Sequence, residues 1–336
     1  MNKTYRVSVL GDGGWGTALA LVSQRKGNPT LLWSAFPEYA KILKEKRENQ
    51  KFLPGVSIPA SLEITSSLKD AVEFGEILIL AIPTQFVRNI LYKLKDFDLS
   101  KKILVSVAKG IEKKTHLRPS QIIESILGKV NLAVLSGPSH AEEVARKIPT
   151  LIVAASKDEK LAAQVCEALK DRGFRVYTQT DVVGAELGGS LKNVVAIAAG
   201  ICDGLGFGDN TKSGLLTRGL FEMTKLGIRL GANPNTFFGL SGIGDLMTTC
   251  FSAHGRNLRV GRELGRGRKI KDILGEMEMV AEGVDSSEAV VELAAKVGVD
   301  LPIMTEVYNV LFRGKDCARA VEDLLSRDAR EEWKQY

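Results

Sequence analysis

Short apolar and β-branched runs at 5–10, 30–33, 77–82, 102–107, 131–135, 150–154 and 174–177 alternate with helical spacing through the first half of the chain. That alternation predicts crossover units and a parallel sheet. From about residue 181 the pattern turns to helical periodicity punctuated by glycine, as in Leu215, Leu216, Leu220, Met223 and Leu226, and later Ala289, Val290, Leu293, Ala294 and Val297. The expected architecture is a doubly wound α/β domain over 1–181 followed by an all-α domain over 182–336.

With 336 residues, 44% of them hydrophobic and 26% charged, the chain has the balance of a soluble globular protein of two domains. Its net charge is +6, but acids and bases interleave, which favours a small anionic ligand over nucleic acid. The densest basic stretch, 262–271, contains Glu263 and two glycines and no aromatics, and reads as a solvated helix face. Cys166, Cys202, Cys250 and Cys317 form no Cys-x-x-Cys pair, and the three histidines no His-x-x-x-His motif, so neither a metal site nor a disulfide framework is expected. No apolar run is long enough for a signal-peptide core or a bilayer span; the expectation is a cytoplasmic protein without a membrane partner.

Gly11, Gly13 and Gly16 form a Gly-x-Gly-x-x-Gly directly after the first strand and before a helix rich in small residues. The first glycine permits a tight turn, the second lets the backbone approach a pyrophosphate, and the third allows helix to pack closely on strand. A Rossmann-like dinucleotide site follows, with the helix amino terminus facing the diphosphate. Asp12 is out of keeping there, because a carboxylate beside a diphosphate is unfavourable unless it points away. Ligands of such sheets lie beyond the carboxyl ends of the strands, where Pro83-Thr84-Gln85, Ala108-Lys109-Gly110 and Ser136-Gly137-Pro138-Ser139 fall. Lys109 is either a ligand contact or an exposed loop lysine, and Ser139 either a ligand contact or a cap for the helix starting near His140.

In the helical half, Lys192 is the only charged residue between Glu186 and Asp203. A lysine among small and apolar residues loses solvation, which lowers its pKa toward the range of proton transfer; the alternative is a side chain that snorkels to water. Asp245 opens a helix after a glycine-rich turn, as a site acid or as a cap. Arg256 and Asn257 offer a guanidinium fork and an amide suited to phosphate or carboxylate, or simply a polar surface.

Taken in order, Gly-x-Gly-x-Trp-Gly-Thr-Ala-Leu-Ala from 11, Phe-Leu-Pro-Gly at 52–55, Ala-Lys-Gly-Ile-Glu at 108–112 and Ser-Gly-Pro-Ser at 136–139 resemble the bacterial type of NAD(P)-dependent glycerol-3-phosphate dehydrogenase. So do Leu-Gly-Gly-Ser-Leu-Lys-Asn at 187–193, Gly-Asp-Leu-Met-Thr-Thr-Cys at 244–250, Gly-Arg-Asn at 255–257 and Glu-Gly-Val at 282–284. The resemblance implies Lys192 as proton acceptor, and Lys109, Gly137, Ser139, Asn193, Asp245, Thr249, Gly255, Arg256 and Asn257 around glycerol 3-phosphate. It implies NAD or NADP held by the glycine turn with Gly14, Trp15, Lys109, Ala141, Arg256, Val280 and Glu282, and their places after the strands add Ser34, Ala35 and Pro83 to the expected cofactor contacts. It further implies a homodimer and a supply of phospholipid backbones. Two positions depart from the family pattern. Trp33 is followed by Ser34 and Ala35, without the arginine or histidine that faces a 2′-phosphate, and Gly255 stands where serine is usual. With neither a cation nor an acid after the second strand, Ser34 is expected to serve a hydroxyl or a phosphate oxygen, Lys41 or Lys44 to lend charge, and NADH to be used at least as well as NADPH. The rival readings are a two-domain hydroxy-acid dehydrogenase and a non-catalytic nucleotide sensor.

Overall fold

Strands that are covered on both faces must be apolar at every position rather than at alternate ones. The first-half runs are of that kind: β1 (Val7–Leu10), β2 (Thr30–Trp33) and the later strand Ile77–Leu80 are buried at all four residues. In the computed structural model, which describes residues 3–252, 255–328 and 331–332, the chain divides into two compact units. One comprises Met1–Lys109 and Arg118–Ala185, the other Gly110–Leu117 and Glu186–Tyr336.

The first unit continues through β3 (Glu48–Asn49), β4 (Leu53–Ser57), β5 (Glu63–Thr65), β6 (Ile77–Leu80), β7 (Ile103–Ser106), β8 (Asn131–Ser136), β9 (Thr150–Ala155) and β10 (Phe174–Gln179). Its helices are α1 (Gly14–Arg25), α2 (Pro37–Lys46), α3 (Leu68–Phe74), α4 (Thr84–Leu94), α5 (Pro119–Leu127), α6 (Ala141–Ala145) and α7 (Glu159–Leu169). Eight strands form one sheet in the order β10-β9-β8-β7-β6-β1-β2-β5. From β5 to β8 all neighbours are parallel, so the loops after β1, β2, β6, β7 and β8 share one edge. The strand order reverses at β1, the place where open α/β sheets bind ligands.

The sheet departs from the expected parallel arrangement at one pair. β9 runs antiparallel to β8, with Ser136 opposite Val153. The link between them holds only the five-residue α6, which spans about 7.5 Å. A parallel neighbour is usually reached by a crossover built around a full helix, and this short helix does not supply one. The edge strand β5 and the antiparallel pair β3–β4 also lack a strong apolar signature, since one is Glu-Ile-Thr and the other contains Pro54 and Gly55.

The second unit is helical: α8 (Val182–Gly204, whose first turn belongs to the first unit), α9 (Asp209–Arg229), α10 (Pro234–Phe237), a π-helical turn at Leu240–Gly244, α11 (Asp245–Phe251), α12 (Arg256–Gly265), α13 (Ile270–Gly275), α14 (Glu282–Val297), α15 (Pro302–Phe312) and α16 (Cys317–Leu325). α8 is long and apolar enough to cross a bilayer, but 94% of its most apolar window is buried, as in the core helix of a globular unit. The segment 110–117 joins this unit by clasping α14. Lys113 pairs with Asp285 at 2.6 Å, while His116 contacts Glu292 through Nε2 at 2.6 Å and Lys296 through Nδ1 at 2.7 Å.

Candidate functional site

At the carboxyl edge of the first unit, Gly11 has φ of +124°, and a Cβ there would stand 2.3 Å from the carbonyl oxygen of Ala81. A Cβ on Gly16 would lie 1.9 Å from the carbonyl oxygen of Gly11, so turn and helix close only without side chains. Gly13 differs. Nothing lies within 4 Å of its Cβ position, so internal packing does not require glycine, and the open space adjoins the amino terminus of α1. Three buried polar atoms along this edge lack a hydrogen-bond partner: Trp15 Nε1 after β1, Thr84 Oγ1 after β6 and Ser136 Oγ at the end of β8. Buried polar groups are ordinarily paired, so orphans gathered on a ligand-binding edge fit a site that receives polar groups from outside.

Lys109, after β7, donates from Nζ to the carbonyl oxygen of Gly137 at 2.9 Å and to Ser139 Oγ at 3.0 Å, and Ser139 donates to the same carbonyl at 2.8 Å. Ser139 therefore does not cap α6; the N-cap is His140, whose side chain makes no capping bond. Pro83 precedes α4 as its N-cap and Ala141 opens α6. The expectation for Ser34 needs correcting. Its side chain is wholly buried, its hydroxyl donates to Asp12 Oδ2 at 2.5 Å, and Oγ accepts from the amide of Phe36 at 3.2 Å. The hydroxyl serves the protein rather than a ligand, whereas Ala35 is exposed. Asp12 is fixed in turn by Asn49, whose Nδ2 donates to the Asp12 carbonyl and to Thr17 Oγ1, each at 2.7 Å.

In the second unit Lys192 does not snorkel. It is 6% exposed, and Nζ lies 2.6 Å from Asp245 Oδ1 and 2.5 Å from Thr249 Oγ1. Thr249 donates its own proton to the Asp245 carbonyl at 2.8 Å, so toward Lys192 it can only accept. Asp245 is the first residue of α11 rather than its N-cap, and its carboxylate turns to the lysine. Glycine sets this meeting. One turn before Lys192, a Cβ on Gly188 would lie 2.1 Å from the Ser241 carbonyl oxygen, so the π-helical turn leading into Asp245 rests directly on the α8 backbone. Burial pushes the neighbouring Cys250 thiol up to about 12, which keeps it protonated and unreactive.

Arg256 and Asn257 open α12. Arg256 is exposed and donates from Nη1 to the Val280 carbonyl at 2.7 Å, which leaves the rest of its fork available to an anion. Asn257 Oδ1 accepts from the Gly283 amide, next to Glu282, at 3.1 Å, so the NH2 side of the amide is the side open to a ligand. A Cβ on Gly283 would stand 2.6 Å from the Asn193 carbonyl oxygen, which draws α14 against the same turn of α8. At Gly255 a Cβ would meet the Thr249 carbonyl oxygen at 2.9 Å, so a serine there would require a small shift.

Sequence reading missed what holds these helices in register. Gly200 and Gly204 of α8 face Gly261 and Gly265 of α12, and Cβ atoms on them would lie 2.0 to 2.6 Å from backbone oxygens of the opposite helix. Two glycine pairs four residues apart allow backbones to touch, and that spacing was visible in the sequence.

Comparison with known proteins gives the same assignment. Residues 6–162 match the family model for the NAD-dependent glycerol-3-phosphate dehydrogenase N-terminus, and 181–322 the model for its C-terminus. The chain is similar to glycerol-3-phosphate dehydrogenase [NAD(P)+] of Chlorobium phaeobacteroides, at 46% identity over 97% of this chain and 99% of the relative. It is likewise similar to that of Bacillus subtilis, at 45% identity over 96% and 94%. The crystal structure of a glycerol-3-phosphate dehydrogenase from Coxiella burnetii shares the fold with a TM-score of 0.93 and 35% identity, covering 96% of this chain and 99% of its own. With both units matched in order and the relatives aligned along almost their whole length, the chain belongs to the NAD-dependent glycerol-3-phosphate dehydrogenase family.

Proposed function

We propose that the protein reversibly oxidises sn-glycerol 3-phosphate to dihydroxyacetone phosphate with NAD or NADP. The observation that carries this reading is the buried lysine held between Asp245 and Thr249. Oxidation of a secondary alcohol needs a base for the hydroxyl proton, and reduction needs an acid for the carbonyl oxygen. Lys192 serves both. Neutral, it takes the C2 hydroxyl proton; charged, it returns a proton to the carbonyl oxygen, and Asp245 offsets the positive charge it carries in between. Thr249, limited to accepting, keeps the nitrogen oriented in both states.

The nicotinamide cofactor supplies the hydride acceptor or donor when bound. The open space at Gly13, the amino terminus of α1 and the unpartnered Trp15 Nε1 support placing the dinucleotide on the first unit, where Gly11, Gly14, Gly16, Pro83 and Ala141 frame the same edge. Lys109 and Ser139, tied to Gly137, would orient the polar end of the substrate. The free part of the Arg256 fork and the amide nitrogen of Asn257 suit its phosphate. Asn193 and Glu282 flank that group on α8 and α14. Family resemblance supports a homodimer in the cytoplasm, for which sedimentation of the purified protein provides the check on assembly.

The test is nicotinamide oxidation followed by absorbance with dihydroxyacetone phosphate, phosphate-free dihydroxyacetone and a panel of 2-oxo acids. Turnover confined to the phosphorylated substrate is expected. Preference for a 2-oxo acid would transfer the chain to hydroxy-acid chemistry, and binding without turnover would make it a sensor.

A further inference from the structure

A dinucleotide fold that selects NAD usually carries an acid at the end of its second strand, where it meets the ribose 2′-hydroxyl and repels a 2′-phosphate. The residues after β2, Ser34-Ala35-Phe36, include none. The structure nevertheless puts a carboxylate there. Asp12 comes from the glycine turn after β1, yet its Oδ2 receives the Ser34 hydroxyl at 2.5 Å, and its backbone is pinned by Asn49. We propose that Asp12 is the residue that discriminates against NADP, an acid brought to the end of the second strand from the end of the first. This inference rests on the dinucleotide-binding reading above.

The surroundings give the carboxylate this role. Burial raises the pKa of Asp12, while the Ser34 hydroxyl, its own backbone amide and the charge of Lys51 act to keep it ionised. Lys51 is the cation that bears on it, and one positive charge against one negative leaves nothing in excess for a phosphate carrying nearly two. Ala35 and Phe36 are both exposed, with Phe36 at 68%, so the loop offers a 2′-phosphate no cation of its own. Asp12, an apparent misfit in a phosphate-binding turn, is buried and turns its carboxylate to Ser34 at the end of the second strand.

The test measures binding rather than turnover. ADP-ribose and 2′-phospho-ADP-ribose are titrated calorimetrically into wild type, Asp12→Asn and Asp12→Ser, with melting temperature as the control for folding. Wild type should bind the 2′-phosphorylated probe at least tenfold more weakly. Asp12→Asn, which keeps a hydrogen-bond partner for Ser34 but removes the charge, should shrink that ratio severalfold or more, chiefly by tightening the phosphorylated probe, and Asp12→Ser should do likewise. Equal binding of the two probes by wild type overturns the inference on its own, whatever the variants do. So does an unchanged ratio in both variants, which would leave Asp12 as a brace between two loops. Failure of wild type to bind ADP-ribose at all would remove the dinucleotide reading and the inference with it.

Discussion

Asp245 and Glu222 are both buried acids of the helical unit, and their partners give them opposite work. Asp245 meets an ammonium group at 2.6 Å, a buried pair of opposite charges. Among the described residues Glu222 meets the first amides of α15, accepting from Ile303 at 2.7 Å and Met304 at 3.2 Å. Burial pushes the Glu222 carboxyl up to about 8 despite those two amides. On the reading proposed above, the acid opposed by a side-chain charge takes part in proton chemistry, while the one opposed by backbone amides holds the start of a helix.

The contrast can be broken at several points. The largest effect is expected at Arg256, the proposed contact for the substrate phosphate. Arg256→Ala should cost on the order of 2 to 5 kcal/mol of transition-state binding for dihydroxyacetone phosphate. It should leave the slow reaction of dihydroxyacetone nearly untouched. Steady-state kinetics on the two substrates checks this, and equal losses would make Arg256 a structural residue.

Next in size is the glycine seam. A methyl on Gly261 would sit 2.0 Å from the Ile197 carbonyl oxygen, so Gly261→Ala must part α8 from α12. Such overpacking costs typically 1 to 3 kcal/mol. Chemical denaturation should register that loss together with a raised KM, because Arg256 rides on the displaced helix.

Glu222 should report on stability alone. Its carboxyl titrates near 8 in the folded chain and near the ordinary 4.5 when unfolded, so folding favours the protonated form. The contribution is complete below about 4.5 and is lost as pH rises through about 8. Glu222→Gln should flatten the dependence of melting temperature on pH across that window, with turnover unchanged. A profile that keeps its slope in the variant would show that another group carries it.

The smallest effect is expected at the exposed Ala35. Ala35→Arg should shift the ratio of catalytic efficiencies toward NADPH only severalfold while Asp12 remains in place, although a charge-assisted contact alone is worth about 1.5 to 3 kcal/mol. Measuring both cofactors on the variant gives the answer.

The parts legible in the sequence were those set by local rules. β1, β2 and β6 showed as apolar runs because both their faces are covered, and the glycine turn showed because each glycine answers a steric demand or an open space. Lys192 stood out by its isolation, but its partners lie 53 and 57 residues away and only the fold joins them. The direction of β9 was hidden because the apolar composition of a buried strand fits either direction. Asp12 and Ser34 each read plausibly alone, as a misfit and as a ligand contact. Their hydrogen bond changes both meanings.

The most direct test of the contrast is one assay on two variants, the reduction of dihydroxyacetone phosphate by Lys192→Ala and by Glu222→Gln at saturating cofactor. Loss of a general acid or base lowers turnover by about a hundredfold or more. The account requires that loss in Lys192→Ala, with circular dichroism and cofactor affinity close to wild type, and wild-type turnover in Glu222→Gln. Near-normal turnover by a folded Lys192→Ala would contradict it.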